Sequence, residues 1–188
     1  MTPAVRRVGA ESASEVLAVI EEAFSTRPVL DPPASALSED LESVRAALKA
    51  HGGLLATVGD TPVGCLLFAP AAEGMEVRRV GVVPTAQGSG VAGALVEAAL
   101  HACLGYESLT LLARVELPET IDFWLRRGFV EERRWEHNVR LRRDLATTFA
   151  VPDAAAMQDL GVRLGQAVKA GDLVVLSGEL GAGKTTLT

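Results

Sequence analysis

Apolar positions along the chain follow two periods, one of about 3.6 residues that is typical of helices and one of two residues that is typical of strands. Up to residue 145 they predict a strand, two helices, three strands, a helix, a strand, a short helix and two closing strands. This order predicts an α/β (α+β) domain with a mixed sheet. In chain order, the predicted segments are 4–8, 12–24, 38–52, 53–60, 62–70, 75–84, 90–104, 108–114, 119–128 and 129–145.

Local signals refine the ends of these elements. Ser12 or Ser14 is expected to cap the first helix and Ser38 the second, because a serine hydroxyl accepts hydrogen bonds from a first helical turn. Gly52 is expected to end the second helix. The sequence Gly59-Asp60-Thr61-Pro62 is typical of a turn and predicts a hairpin between two of the three sequential strands.

A second unit is predicted after a linker at residues 146–152. A helix with one apolar face is expected to run from its cap, Asp153, to Gly171. An apolar strand at residues 171–178 then leads directly into a glycine-rich sequence. The predicted domains are therefore residues 1–145 and the start of a second domain at residues 153–188.

The composition is that of a globular protein. Apolar residues make up 48% and charged residues 22% of the chain, so a packed core is expected, and the net charge of −6 argues against direct nucleic-acid binding. Cys65 and Cys103 lie in apolar runs without metal-ligand spacing, which predicts buried free thiols in a reducing compartment. With no signal-peptide pattern and no apolar run of membrane-spanning length, we expect a cytoplasmic protein without a membrane partner.

The glycine-rich sequence near residue 180 has the pattern G-x-x-x-x-G-K-[ST] directly after an apolar run. Glycines let backbone N–H groups turn toward phosphate oxygens, Lys184 can reach the outer phosphates, and the Thr185 hydroxyl can ligate Mg²⁺. We therefore predict an ATP phosphate site with Thr185 as a metal ligand. Its residues are Gly178, Gly181, Ala182, Gly183, Lys184, Thr185 and Thr186.

Residues 152–188 resemble the opening of the bacterial TsaE ATPases, which support threonylcarbamoylation of adenosine 37 in tRNA. The resemblance rests on an L-G-x-x-L helix, a G-D-L-V-x-L strand and the loop G-E-L-G-A-G-K-T-T. It implies ATP and Mg²⁺ as cofactors of the complete domain, and proteins of a tRNA-modification complex as partners. The acidic residues of the family follow this loop and are not in the sequence, so this segment is expected to be inactive as an ATPase.

A second glycine-rich turn covers residues 87–93. With Gly88, Gly90 and Gly93 it fits G-x-G-x-x-G, the dinucleotide fingerprint, which in a Rossmann domain starts at the end of a strand. Here residues 84–87 intervene, and three sequential strands upstream favour a meander over a βαβ unit. A NAD-type oxidoreductase, with its parallel sheet order, is therefore the weaker alternative.

The same turn also has the form Q-x-x-G-x-A after V-V-P, and residues 121–129 have the form I-D-F-W-L-R-R-G-F. Together these motifs resemble the GCN5-related N-acetyltransferases (GNAT) over residues 4–145. The resemblance implies acetyl-CoA as cofactor and an amine-bearing small molecule or a protein N-terminus as acceptor. It implies a pyrophosphate site at Gly88, Ser89, Gly90, Val91, Ala92 and Gly93, and a strand edge for the pantetheine arm at Val80, Gly81 and Val82.

The sequence indicates the catalytic residues less clearly than the cofactor-binding residues. The family's usual Tyr acid is replaced by Trp124, and the base position of the ribosomal-protein N-terminal acetyltransferases is Leu112. By the two-residue strand period, Glu76 would share a face with Val80 and Val82, which makes it the candidate base. A solvated strand glutamate is the alternative, as is a domain that binds acyl-CoA or a partner protein without catalysis.

For several other polar side chains, both a catalytic role and a structural role stay open. Glu116, at a strand end, is a second candidate base, whereas His101 and His137 have no partner visible in the sequence. Arg126 or Arg127 is the better candidate for the 3′-phosphate of CoA. Together these features predict an acetyl-CoA-dependent N-acetyltransferase joined to the start of a TsaE-like domain.

Overall fold

The computed structural model describes residues 3–28, 30–145 and 149–188. The chain divides into two compact units, Met1–Ala146 and Thr147–Thr188. No helix within the described residues has both the length and the apolar character needed to cross a bilayer. The strands are β1 (Ala4–Val8), β2 (Gly53–Val58), β3 (Thr61–Ala71), β4 (Gly74–Val82), β5 (Ser108–Arg114), β6 (Val130–Trp135) and β7 (Asn138–Asp144); the helices are α1 (Ala13–Ser25), α2 (Leu41–His51), α3 (Val91–Ala102), α4 (Pro118–Leu125), α5 (Ala154–Ala167) and α6 (Lys184–Leu187).

The first unit is built on a seven-stranded mixed sheet of order β1-β2-β3-β4-β5-β7-β6. Neighbouring strands are antiparallel except β4 and β5, which are parallel and are joined through α3, the kind of crossover that parallel pairing requires. This sheet confirms the predicted mixed α/β fold and the hairpin between β2 and β3. It lacks the parallel order on which the NAD-type oxidoreductase alternative depended.

Helices pack on both faces of this sheet. A side chain on Gly81 would meet Ala23 and Phe24 of α1, whereas one on Gly64 would meet Val91 and Leu95 of α3, so the two glycines allow close helix approach on opposite faces. Burial of each core Leu, Val or Ile contributes about 1.5–3 kcal/mol. Both cysteines are free and buried, as predicted: Cys65 and Cys103.

Only some of the helix ends have the capping residues that the sequence predicted. Asp40 caps α2, because its carboxylate accepts from the Ser43 N–H at 2.7 Å while its own N–H donates to the Ser43 hydroxyl at 3.0 Å. The prediction for Ser38 is therefore wrong. Ser12 occupies the N-cap position of α1, but its hydroxyl makes no capping bond to the helix. Gly52 ends α2 with φ +74°, as predicted.

A β-bulge interrupts β4. The two halves of the strand pair with β3 in registers that differ by one residue, and Arg79 lies at the change with φ +54°. Because one extra residue reverses the alternation of side chains, Val80 and Val82 lie on the opposite face from Glu76. The predicted common face of these three residues is therefore wrong.

The second unit contains α5 and the short α6. The Asp153 carboxylate accepts from the Ala156 N–H at 2.8 Å, which confirms the predicted cap of α5. The helix ends at Ala167, because the backbone of the next residue, Val168, is extended with φ −77° and ψ 150°. It therefore stops short of Gly171, and the prediction that this glycine ends the helix is wrong.

The predicted strand at residues 171–178 is also wrong. These residues form no strand, and the side chains of Leu173 and Val175 are 88% and 76% exposed. A strand needs a neighbouring strand to bond its N–H and C=O groups, and residues 149–188 contain no other strand.

Candidate active site

The parallel strands β4 and β5 separate part of the way along their length. They pair only from Gly74 to Val77 on β4 and from Ser108 to Leu111 on β5. Beyond these residues β4 remains paired with β3 and β5 remains paired with β7. The facing edges therefore leave a gap, which we call the β4–β5 opening, and the predicted pantetheine edge, Val80 to Val82, lies on its β4 side.

The predicted pyrophosphate loop follows the end of β4 and leads into α3. Gly88 and Gly90 have φ of +75° and +90°, and Gly90 is the N-cap of α3. Apart from the glycine itself and the residues on either side of it, no atom lies within 4 Å of a Cβ built on Gly88 or Gly90, so the space above the loop is open. The first N–H groups of a helix have no partner within the helix and attract anions. The loop therefore fits a pyrophosphate.

A cationic side chain lies beside this loop. The Arg127 Nη2 atom is 3.2 Å from the position that a Cβ on Gly93 would take. Its guanidinium lies 3.6 Å from the ring centroid of Phe123 and donates to the Phe123 carbonyl at 3.0 Å. These contacts hold a positive charge next to the first turn of α3, where it can bind a phosphate group.

The predicted base, Glu76, is surrounded by cations. Its carboxylate lies 3.6 Å from the Arg78 guanidinium and 3.6 Å from that of Arg140, and its side chain is 16% exposed. Each oxygen of this carboxylate therefore faces a guanidinium group. This geometry favours the structural interpretation of Glu76, and its catalytic role stays a prediction.

A second acidic side chain, that of Glu116, lies within hydrogen-bond distance of a histidine. The Glu116 carboxylate lies 2.9 Å from Nδ1 of His137 and accepts two hydrogen bonds from Arg114, each at 3.0 Å. The hydrogen bonds from Arg114 hold the pKa of Glu116 at about 2. A charged carboxylate can orient a histidine ring, so this contact gives His137 the partner that the sequence did not reveal.

Three arginines fasten the described part of the segment between α1 and α2, residues 26–28 and 30–40, to the sheet. Arg27 donates to the Val80 carbonyl at 3.0 Å, and Arg114 donates to the Pro32 carbonyl at 2.7 Å. Arg79 forms an ion pair with Glu39 at 2.6 Å. These bonds place the segment against β4 and β5 beside the β4–β5 opening.

The residue at the family's usual Tyr position belongs to the core. Trp124 is 3% exposed, and its ring lies edge-on to Phe123 and Phe129 at centroid distances of 5.3 and 5.0 Å. Indole N–H is not a usable acid at neutral pH. Trp124 therefore serves packing and not proton transfer.

One cavity of the first unit does not coincide with this opening. It has a volume of about 520 Å³ and lies near the start of β4, between Arg7, Lys49 and Tyr106. The glycine loop follows the other end of β4 and does not line this cavity. Because the strand separation and the loop geometry identify the opening directly, we assign the candidate site there.

The glycine loop of the second unit is stabilised by its lysine. Gly181 and Gly183 have φ of +83° and +82°, and the Lys184 ammonium donates to the carbonyls of Gly178 and Glu179, each at 2.8 Å. An ammonium held across a glycine loop fits a phosphate group. The described residues contain no group of three His, Cys, Asp or Glu side chains that could hold a metal ion.

Solved structures with the same fold define the class of the first unit. A PaiA N-acetyltransferase from Thermoplasma acidophilum, in complex with coenzyme A, is 15% identical, with a TM-score of 0.66 over 77% of this chain and 99% of that chain. The ribosomal-protein-S18-alanine N-acetyltransferase of Escherichia coli is 12% identical, with a TM-score of 0.66 over 79% and 97%. At these identities the likeness shows the fold, which is that of the GNAT acetyltransferases.

Family models identify both parts of the chain. Residues 50–131 match the model of the acetyltransferase (GNAT) domain, and residues 151–188 match that of the threonylcarbamoyl adenosine biosynthesis protein TsaE. The chain thus carries a GNAT domain and a TsaE-type segment, which confirms both resemblances. The TsaE of Streptomyces coelicolor is 72% identical over 32 residues, 17% of this chain, and the match spans about a fifth (22%) of that relative's length.

Proposed function

We propose that the first unit, with a domain boundary near residue 145, is an acetyl-CoA-dependent N-acetyltransferase. The observation that carries the proposal is the open glycine loop, Gly88 to Gly93, at the end of the β4–β5 opening. Its N–H groups would hold the pyrophosphate, and the edge Val80 to Val82 would bond to the pantetheine arm and polarise the thioester carbonyl. When bound, acetyl-CoA supplies the acetyl thioester.

The reaction needs a proton acceptor, and we propose His137 in place of Glu76. The acceptor nitrogen attacks the thioester carbon, the carbon–sulfur bond breaks, and the proton lost by the amine passes to His137 directly or through water. His137 is oriented by Glu116, whereas Glu76 is held between two guanidinium groups. A thiol has a pKa of about 8.5, so the thiolate can leave without a protein acid such as a tyrosine.

The first test measures CoA binding by calorimetry and acetyl transfer to a panel of amines by thiol release. We expect binding and transfer in the wild type. His137→Gln should lower kcat and change its pH dependence, while His101→Gln serves as the control because His101 is an exposed helix residue. Absence of CoA binding would reject the proposal, and an unchanged His137→Gln variant would reject the base.

A second candidate function is a module that binds acyl-CoA or a partner protein without catalysis. The observation that favours it is Trp124, which is buried at the position where the family usually has Tyr. The same assays separate the two functions: CoA binding without transfer to any amine supports the module, and transfer rejects it.

For the second unit we propose an ATP phosphate site on the predicted residues, Gly178 to Thr186. The positive-φ glycines and the Lys184 ammonium support this role. Thr185 would supply one Mg²⁺ ligand, and the remaining ligands would come from ATP phosphates and water, as is usual for Mg²⁺. We propose that the protein acts with the tRNA-modification proteins of the cytoplasm, a proposal that the match of residues 151–188 to TsaE supports. Loss of ATP binding in Lys184→Ala, but not in Lys169→Ala, tests the site.

A further inference from the structure

Arg27 brings a positive charge to the β4–β5 opening. Its Nη2 atom donates to the carbonyl of Val80, and its guanidinium carbon lies 3.8 Å from the ring centroid of Phe24. Val80 belongs to the half of β4 that no longer pairs with β5. These two contacts fix the guanidinium beside the strand edge that we assign to the pantetheine arm.

The charge of Arg27 has no carboxylate partner among the described residues. Arg79 and Arg114, which anchor the same segment, differ from it in this respect, because each is paired with a glutamate. Burial lowers the pKa of Arg27. A guanidinium has five N–H donors, and a part-buried charge is normally paired, so the unused donors call for an anion.

The neighbouring charges point the same way. Glu39, Glu76 and Glu116 are each within ion-pair distance of at least one arginine. Glu132 likewise lies 3.9 Å from Arg140, so four glutamates face the four arginines Arg78, Arg79, Arg114 and Arg140, whereas Arg27 has no carboxylate partner among the described residues. The uncompensated positive charge of Arg27 repels a polyamine and attracts an acceptor with a negative group.

We propose that the acceptor amine carries a carboxylate close to its nitrogen, as a free α-amino acid does, and that Arg27 binds this carboxylate. The proposal rests on the proposed acetyltransferase function. A planar guanidinium binds a carboxylate through two parallel hydrogen bonds, which fixes orientation as well as position. In an α-amino acid one carbon joins the carboxylate to the amine, so the anchored acceptor presents its nitrogen to the thioester.

The test compares acceptors in the full chain with acetyl-CoA as donor. The probes are the common α-amino acids, their amides and spermidine, assayed with wild type, Arg27→Gln, Arg27→Lys and the control Arg45→Gln, an exposed residue of α2. We expect kcat/KM for the best amino acid to exceed that for its amide by at least about tenfold, the factor that corresponds to one charge-assisted hydrogen bond. Arg27→Gln should remove this preference mainly through KM, with the KM for acetyl-CoA unchanged.

Several results would overturn the proposal. One is a preference for amides or spermidine; another is the absence of transfer to any amino acid while other amines react. If Arg27 only positions Val80, Arg27→Gln will weaken all acceptors equally and raise the KM for acetyl-CoA, whereas Arg27→Lys will rescue little of either. Calorimetry with CoA separates failure of the Arg27 proposal from failure of the proposed acetyltransferase function. A chain that does not bind CoA rejects the acetyltransferase function itself, whereas a chain that binds CoA and shows one of the results above rejects only the role of Arg27.

Discussion

Replacement of Gly90 by Ala should weaken CoA binding in addition to straining the fold. Gly90 has φ +90° and open space around its Cβ position, so the cost to the folded state is the strain of an L-residue at positive φ, about 1–2 kcal/mol. Gly59→Ala is the matched control. Gly59 also has positive φ and open space, but it lies in the β2–β3 hairpin turn.

The effect on binding follows from the geometry of the loop. A methyl group on Gly90 would occupy the space in which the pyrophosphate is expected to approach the N–H groups. A hydrogen bond to a charged group contributes about 1.5–3 kcal/mol, so loss of one such bond weakens binding by roughly 10- to 150-fold. Both variants should melt about 2–8 °C below wild type, and only Gly90→Ala should lose affinity for CoA.

Calorimetry with CoA and thermal melting of the same samples check both parts. Equal CoA affinity in Gly90→Ala and Gly59→Ala would refute the loop assignment, because strain alone would then explain the variants. Retained affinity in Gly90→Ala together with a normal melting temperature would refute the argument from positive φ as well.

Three further predictions concern packing and pH. Gly64→Ala should lower the free energy of unfolding by about 1–3 kcal/mol in a denaturant titration, because its Cβ would lie 2.7 Å from Val91 Cγ1. Glu116 has a pKa of about 2, below its ordinary 4.5, so it adds stability above pH 4.5 that is lost as pH falls toward 2; Glu116→Gln should flatten the stability curve in that window. Trp124→Phe should destabilise the domain yet keep kcat in the thiol-release assay, whereas a large loss of kcat in folded protein would contradict its packing role.

The sequence predicted those features that depend on residues close to one another along the chain. The glycine turns, the Asp153 cap and the order of strands and helices all follow from local periodicity and local hydrogen bonding. It could not predict the bulge at Arg79, because a register shift depends on the partner strand. For the same reason it missed Arg27 and the Glu116–His137 pair, whose partners lie 53 and 21 residues away.

The strand expected at residues 171–178 illustrates the same limit. Its apolar composition suits a strand, but strand formation depends on a second strand to bond with, which the composition of one segment does not report. Local patterns therefore indicated both glycine loops, while the contacts of Arg27 with Val80 and of Glu116 with His137 became visible only through the tertiary structure.

The bonds that fasten residues 26–28 and 30–40 have a consequence for how this domain can change over evolution. Arg114 donates to the main-chain carbonyls of Asp31 and Pro32, and Arg79 donates to the carbonyl of Ser35. A main-chain carbonyl is present whatever the side chain, so these three bonds do not depend on the side chains of the segment, whereas the bonds made by Arg27 and Glu39 do. Residues 30–38 can therefore acquire new side chains without a redesign of the sheet that holds the segment.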